Sequence, residues 1–198
     1  MIKFMKTILI IVGLLFVAFC VVQVFGFISQ RGIETYPYTT IKIYDSFQVR
    51  EYESMLFTSV KLNTNGYKNS SSKGFSILAG YIFGGNDTNK KIAMTSPVSM
   101  SLDDSVTMMF MVPKHIKKQD LPVPNESSII IKQEPAKTMA AITFGGWAND
   151  EKIEDYKKRL VIALKNEGIS YSDRFYFYGY NAPYEIFNRI NEVLVELE

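Results

Sequence analysis

Cysteine and histidine are almost missing from this chain: its 198 residues hold one cysteine, Cys20, and one histidine, His115. A single cysteine closes no intramolecular disulfide. Because Cys20 lies inside an apolar N-terminal run, it offers no thiol nucleophile or thiolate ligand to the rest of the chain. A single histidine excludes zinc centres built from several His and Cys, and any serine triad that needs a second histidine for support. An excess of charge of one sign is missing too. The 22 Lys and Arg stand against 20 Asp and Glu, a net charge of +2. The basic residues are dispersed apart from a short cluster at Lys114, Lys117 and Lys118, so no basic face invites nucleic acid.

Long uncharged runs are absent with one exception. Lys3 and Lys6 precede Thr7–Ile28, whose only strongly polar side chain is Gln23, and Arg31 is the next charge. As a helix this run is about 30 Å long, enough to cross the hydrocarbon core of a bilayer. The alternative is a cleaved secretory signal, but the apolar core of such a signal is only about 7–15 residues. Bulky Phe19 also stands where lipoprotein processing at Cys20 wants a small residue. The run predicts a transmembrane anchor over residues 1–31, a linker over 32–43 and one soluble domain over 44–198. Two lysines before the span and one arginine after it place that domain on the extracytoplasmic side. A cleaved, secreted domain is the alternative.

Within the domain the hydrophobic pattern changes period repeatedly. Phe47–Leu62 is rich in β-branched and aromatic residues and reads as one long or two short strands. Asn63–Ser72 reads as a polar loop. Phe75, Leu78, Ala79 and Ile82 then fall at helical spacing, stopped by Gly84-Gly85. Lys91–Leu102 alternates, Asp103-Asp104 turns, and Val106–Pro113 returns apolar on both faces, a hairpin with an edge or bulge at Pro97. Ser128–Gln133 and Thr138–Phe144 read as strands broken at Pro135. A helix follows, capped by Asn149 or Asp150, with Tyr156, Leu160, Ala163 and Leu164 on one stripe and Gly168 at its end. Strands near Arg174–Tyr180 and Asn191–Leu197 complete the chain, with Pro183 between them.

The order strand–helix–strand–strand thus occurs twice. Val49-Arg50-Glu51-Tyr52-Glu53 and Ile131-Lys132-Gln133-Glu134-Pro135 echo one another in position and character. The fold class predicted is α+β: duplicated βαββ units forming a curved or barrel-like antiparallel sheet with two helices, after one N-terminal transmembrane helix. The two helices differ. The second has charged ion pairs on its outer face (Glu154–Lys158, Asp155–Arg159), whereas Gly74–Asn86 carries no charge at all. Beside it the hairpin holds Met94, Met100, Met108, Met109 and Met111, adaptable side chains suited to an irregular apolar ligand. Two readings stay open: a Met-rich core with nothing bound, or a pocket beside the first helix and the hairpin.

The same residues resemble the SOUL haem-binding protein family. Lys91-Ile92-Ala93-Met94-Thr95-Ser96-Pro97-Val98 is similar to its K-I-x-M-T-x-P-V signature. Phe75–Asn86 is similar to its F-x-x-L-x-x-Y-I-x-G-x-N helix and stop. Met109-Phe110-Met111-Val112-Pro113 resembles the strand closing the hairpin, and Leu121-Pro122-Val123-Pro124 the L-P-x-P loop. Tyr180, Pro183, Arg189, Asn191, Glu192 and Val193 resemble the closing Y-x-x-P…R-x-N-E-V motif. The resemblance covers about residues 44–197 and implies a duplicated βαββ barrel-like fold, shared with bacterial GyrI-like ligand domains.

What it implies for function is non-covalent haem, or a related tetrapyrrole, in an apolar cleft beside the first helix. The implied binding residues are Phe75, Leu78, Ala79, Ile82, Met94 and Thr95, with Met109 and Met111 from the hairpin and Lys73, seconded by Lys68, for the propionates. The axial ligand is unknown: His115 sits in a Lys-rich loop outside every motif, and Met, Tyr or no ligand at all are the other choices. Two further functions compete, a general apolar-ligand or protein-interaction module and an enzyme using Glu53, Glu134, Glu185 or Glu192. The reading preferred is a binding protein and not an enzyme, in which Glu192 anchors the fold through a buried pair with Arg189.

Overall fold

The computed structural model describes residues 2–30, 32–64, 66–103, 105–182 and 184–198, and the side chains of all these except 2, 3 and 24–30. Arg31 beyond the apolar run, Asp104 in the hairpin turn and Pro183 in the closing motif therefore lie outside the described residues. The N-terminal run is a single helix, α1 (Ile2–Gln30). Its segment Phe4–Gln23 is long and apolar enough to cross a membrane, and none of it is buried.

The remainder is α+β. In chain order it comprises β1 (Glu34–Thr35), β2 (Tyr38–Ile43), β3 (Gln48–Tyr52), β4 (Met55–Lys61), α2 (Tyr67–Ile82), β5 (Thr95–Ser96), β6 (Val98–Ser101), β7 (Thr107–Met111), β8 (Ile129–Glu134), β9 (Lys137–Gly145), α3 (Asp150–Asn166), β10 (Tyr171–Gly179) and β11 (Ile190–Leu197). Nine strands form one curled antiparallel sheet in the order β2-β3-β9-β11-β10-β6-β7-β4-β8. The expected duplication is visible in that order. One βαββ unit is β4-α2-β6-β7 and the other is β9-α3-β10-β11, and they meet at β6 and β10. The strand leading each unit crosses to the other: β3 pairs with β9, and β8 pairs with β4. The two echoing pentapeptides are these exchanged strands.

Side chains alternate across each strand, so the sheet has two apolar faces. The outer face carries α2 and α3 over residues such as Val60, Met108, Phe110, Ile142, Phe177 and Val193, with Leu78, Leu160 and Leu164 of the helices fully buried on it. The inner, concave face gathers Tyr36, Tyr52, Phe57, Met109, Met111, Met139, Tyr178 and Leu194. The hairpin's methionines are therefore divided, Met100 and Met108 outward, Met109 and Met111 inward.

Three sequence expectations need correction. Residues 34–43, expected as linker, contain β1 and β2; β2 is exposed along its whole length as an edge strand, so no alternation of buried residues marks it. The helix expected over Gly74–Asn86 spans Tyr67–Ile82 and includes Lys68 and Lys73, so it is not uncharged. Its first N–H groups, of Tyr67 and Lys68, donate to the Asp150 carboxylate at the start of α3, a cap supplied from another part of the chain. Finally, the strand expected through Pro97 is split there, and β5 leaves the main sheet to pair in parallel with β1.

Candidate functional site

At the end of the half-barrel where β10 finishes and β6 begins lies a cavity of about 440 Å³. Its walls are Phe75 from α2, Phe83 just past that helix, Met94 and Thr95 leading into β5, Val98 of β6, Ile33 before β1, and Tyr180, Ala182, Tyr184 and Glu185 after β10. Phe75 reaches it because α2 buries the stripe Ser70, Gly74, Leu78 and Ile82, leaving Phe75 on the flank, where its ring meets Phe110 at 5.4 Å. Thr95 is fixed by its hydroxyl donating to the Met111 carbonyl at 2.7 Å. The helix stop is fixed by buried Asn86, whose amide donates to the Tyr81 and Lys90 carbonyls and accepts from the Lys90 N–H. The Tyr81 hydroxyl, pushed up to about 12 by burial, donates to the Pro122 carbonyl. The helix motif, its stop and the L-P-x-P loop are thus one hydrogen-bonded unit.

Of the residues implied at sequence level, this cavity brings together Phe75, Met94 and Thr95. Leu78, Ala79 and Ile82 are on the buried side of α2 and pack into the outer core. Met109 and Met111 lie on the opposite face of the sheet. Lys73 is exposed on α2 and forms no part of the lining, as are Lys68 and His115. Ile33, Phe83, Tyr180, Ala182 and Tyr184 were not foreseen. Tyr180 had a signal in the closing motif; Ile33, in a stretch read as linker, had none.

Tyr180 also joins the cavity to the polar part of the inner face. Its hydroxyl donates to Glu192 at 2.6 Å, and Arg50 donates two hydrogen bonds to the same carboxylate at 2.9 and 3.0 Å. Thr143 adds a third donor and Tyr52 accepts from Arg50. Burial disfavours the Arg50 cation, yet the paired carboxylate outweighs it and holds the guanidinium protonated. Burial, with the nearby Glu192 charge, pushes the Tyr52 and Tyr180 hydroxyls well up, so they stay neutral donors and acceptors. The partner expected for Glu192, Arg189, is elsewhere: it donates to the carbonyls of Ala182 and Glu185 and stacks over Trp147 at 4.0 Å. Arg189 stands before β11 in the loop whose carbonyls it binds, whereas Glu192 stands within that strand among donors from other strands, so the nearby arginine does not meet this glutamate.

A second, polar cavity of about 710 Å³ is lined by Lys132, Glu134, Lys137, Arg174, Tyr176 and Glu196 among others. Lys137 bridges Glu134 and Glu196 at 3.0 Å each. Burial works to raise both carboxyls, but the hydrogen bonds and charges around them, from Lys132 and Lys137 on Glu134 and from Tyr176, Lys137 and Arg174 on Glu196, hold both below the ordinary carboxylate range. Glu53 pairs with Lys114 at the surface, and Glu185 accepts from Asn181 and the Ala182 N–H. Among the described residues no group of three or more His, Cys, Asp or Glu is placed to hold a metal ion.

The fold recurs in solved structures. It matches the EcmrR C-terminal domain with a TM-score of 0.61, covering 81% of this chain and 98% of that one at 13% identity. It matches a hydrolase from Listeria innocua with a TM-score of 0.51, covering 80% and 94% at 8% identity. These likenesses define the class by fold alone, an α+β half-barrel of two βαββ units. The SOUL heme-binding protein family model matches residues 33–196, and the chain belongs to that family. Membership supports a haem- or tetrapyrrole-binding role and haem as the cofactor, in a family of binding proteins. The chain is 27% identical to Heme-binding protein 2 of Mus musculus over 157 residues, 75% of this chain and 76% of that protein. It is 28% identical to Heme-binding protein 1 of Xenopus laevis over 156 residues, 75% and 82% of the two chains.

Proposed function

We propose that this protein is a membrane-anchored binder of haem or a related tetrapyrrole, which takes the ring into the apolar cavity beside α2. The observation that carries the reading is the convergence of Phe75, Met94 and Thr95 on one cavity in a member of this family. Its volume falls in the roughly 300–1,000 Å³ range of small-molecule sites. The donor set fits the group: Phe75, Phe83, Val98 and Ala182 present apolar surface to a ring, and Met94 brings a thioether of the kind that ligates haem iron. Bound haem would supply the iron and its ligand chemistry; the chain supplies burial and orientation. Residues 1–31 serve as the anchor, and the binding domain, counted from Ile33 in the cavity wall so that it takes in β1 and β2, is held on the extracytoplasmic side. The glutamates considered for catalysis are engaged in ion pairs and hydrogen bonds, in keeping with binding and not turnover.

One observation favours a second reading, a carrier of neutral apolar ligands. None of the described residues lining the cavity is cationic, so the propionates of haem find no charged partner on its walls. Titrating residues 32–198 with ferric haem, and separately with an unrelated apolar dye, distinguishes the two. Saturable haem binding that the dye displaces poorly supports the tetrapyrrole; equal affinity for both supports the general carrier. Protease accessibility of the domain in intact cells tests the side of the membrane: extracytoplasmic placement predicts cleavage without lysis, and protection until lysis contradicts it.

A further inference from the structure

Trp147, Tyr184, Ile186, Phe187 and Ile190 are all exposed, by 44% to 64%, at the cavity end of the half-barrel. Trp147 lies on the loop after β9, Tyr184, Ile186 and Phe187 lie on the loop before β11, and Ile190 opens β11, where its pairing with Gly145 joins the two loops. Arg189 locks the loops together, its guanidinium over the Trp147 ring and its N–H groups on the Ala182 and Glu185 carbonyls. Single exposed apolar side chains are ordinary; a cluster of this kind on two fixed loops marks a surface that meets something apolar.

The same loop is tied to α1. The Gln23 side chain donates to the Tyr184 carbonyl at 3.1 Å and accepts from the Ile186 N–H at 3.3 Å. Gln23 lies toward the C-terminal end of the apolar run Thr7–Ile28, five residues before its last apolar side chain. Five residues of helix rise about 7.5 Å, within the depth of about 5–10 Å to which an interfacial apolar surface enters the headgroup and acyl boundary. The loop therefore meets α1 near the level where hydrocarbon gives way to headgroups. Its residue types suit that level, with Trp and Tyr rings and an Arg beside aliphatic side chains.

We propose that these two loops seat in the bilayer interface, with lipid as their partner, so that the apolar cavity opens at the membrane surface. Tyr184 belongs to both the lipid-facing loop and the cavity wall, and Ala182 and Glu185 adjoin it. The ligand class this geometry serves is one that partitions into lipid, taken up or released without crossing bulk water. The inference rests on the reading of α1 as a membrane anchor.

Trp147 is the only tryptophan in the chain, so its fluorescence reports this surface alone. The full chain is reconstituted in phosphatidylcholine vesicles, and the same sample is floated on a density gradient to test the anchor separately. Expected is a floating chain whose Trp147 emission is blue-shifted, quenched by lipids brominated along the acyl chain and shielded from aqueous acrylamide. The double variant Ile186→Asp, Phe187→Asp should still float but lose most of the bromolipid quenching. A floating chain whose Trp147 is quenched by acrylamide and not by bromolipid overturns the inference and leaves the anchor standing. Shielding from both quenchers also overturns it, because the surface is then covered by protein, a second copy or another partner. A chain that does not float removes the anchor and this inference together.

Discussion

Arg50 and Glu192 are 142 positions apart in sequence, yet they form a bidentate pair on the concave face with only about 5% of either side chain exposed. Removing one partner leaves the other charge buried and unpaired, which costs about 3–5 kcal/mol. Glu192→Ala should therefore lower the urea midpoint of the domain strongly, whereas Arg50→Met combined with Glu192→Leu should recover most of the loss. A double variant no more stable than the single one would contradict this account of the pair. The carboxylates at Lys137 set a pH dependence of definite sign. Because the folded-state values of Glu134 and Glu196 are depressed, their contribution is full above the unfolded carboxylate value, about 4.3, and is lost as pH falls through the folded one. Thermal midpoints should therefore drop on acidification below about pH 4. Lys137→Met should flatten that dependence, and an unchanged acid slope in the variant would count against it. None of these pairings was legible in sequence. Partners on different strands carry no spacing signal, whereas the helical pairs Glu154–Lys158 and Asp155–Arg159, read from their i,i+4 spacing, do form and the pair read as Glu192 with Arg189 does not.

Helices show what makes an element's boundaries legible. The start of α3 is marked in sequence by Asn149, whose side chain accepts from the Lys152 N–H, and the structure starts the helix at Asp150. The start of α2 has no such mark. Gly66 precedes it with φ of 80° and no capping side chain, and the groups of its first turn are satisfied by Asp150, over 80 residues away. A reading along the chain therefore leaves Tyr67–Ser72 as loop. Asp150→Ala should cost about 1 kcal/mol and speed amide exchange in the first turn of α2 while leaving the first turn of α3 protected. Exchange unchanged at residues 67–70 would show that the carboxylate is not the cap. Within α2, a Cβ on Gly74 would come 2.9 Å from Leu62 Cδ1 and 3.1 Å from the Met108 side chain, so the helix sits close on β4 and β7. Gly74→Ala should destabilise by about 1–3 kcal/mol through overpacking, measured by the same denaturation.

At the scale of the whole molecule the duplication was readable, because period and order repeat and because two pentapeptides echo one another. Their exchange between units was not readable, since it is a matter of pairing alone. The candidate site divides in the same way. Family motifs name positions and not faces: they picked out Phe75, Met94 and Thr95, which share the cavity, along with Leu78, Ala79 and Ile82, which turn into the core one helical face away. The parity of the β7 strand separates Met109 and Met111 from α2 by the thickness of the sheet. The walls contributed by Ile33 and by Tyr180, Ala182, Tyr184 and Glu185 come from distant segments and required the fold. The central claim, that a tetrapyrrole enters the cavity at Phe75 and Met94, is tested most directly by a Soret titration of residues 32–198 with ferric haem in four proteins: wild type, Phe75→Glu, Met94→Glu and His115→Ala. The account predicts a saturable, shifted band at one haem per chain for wild type and His115→Ala, and its loss in both cavity variants with the fold intact by circular dichroism. Cavity variants that titrate like wild type, or loss confined to His115→Ala, would contradict it.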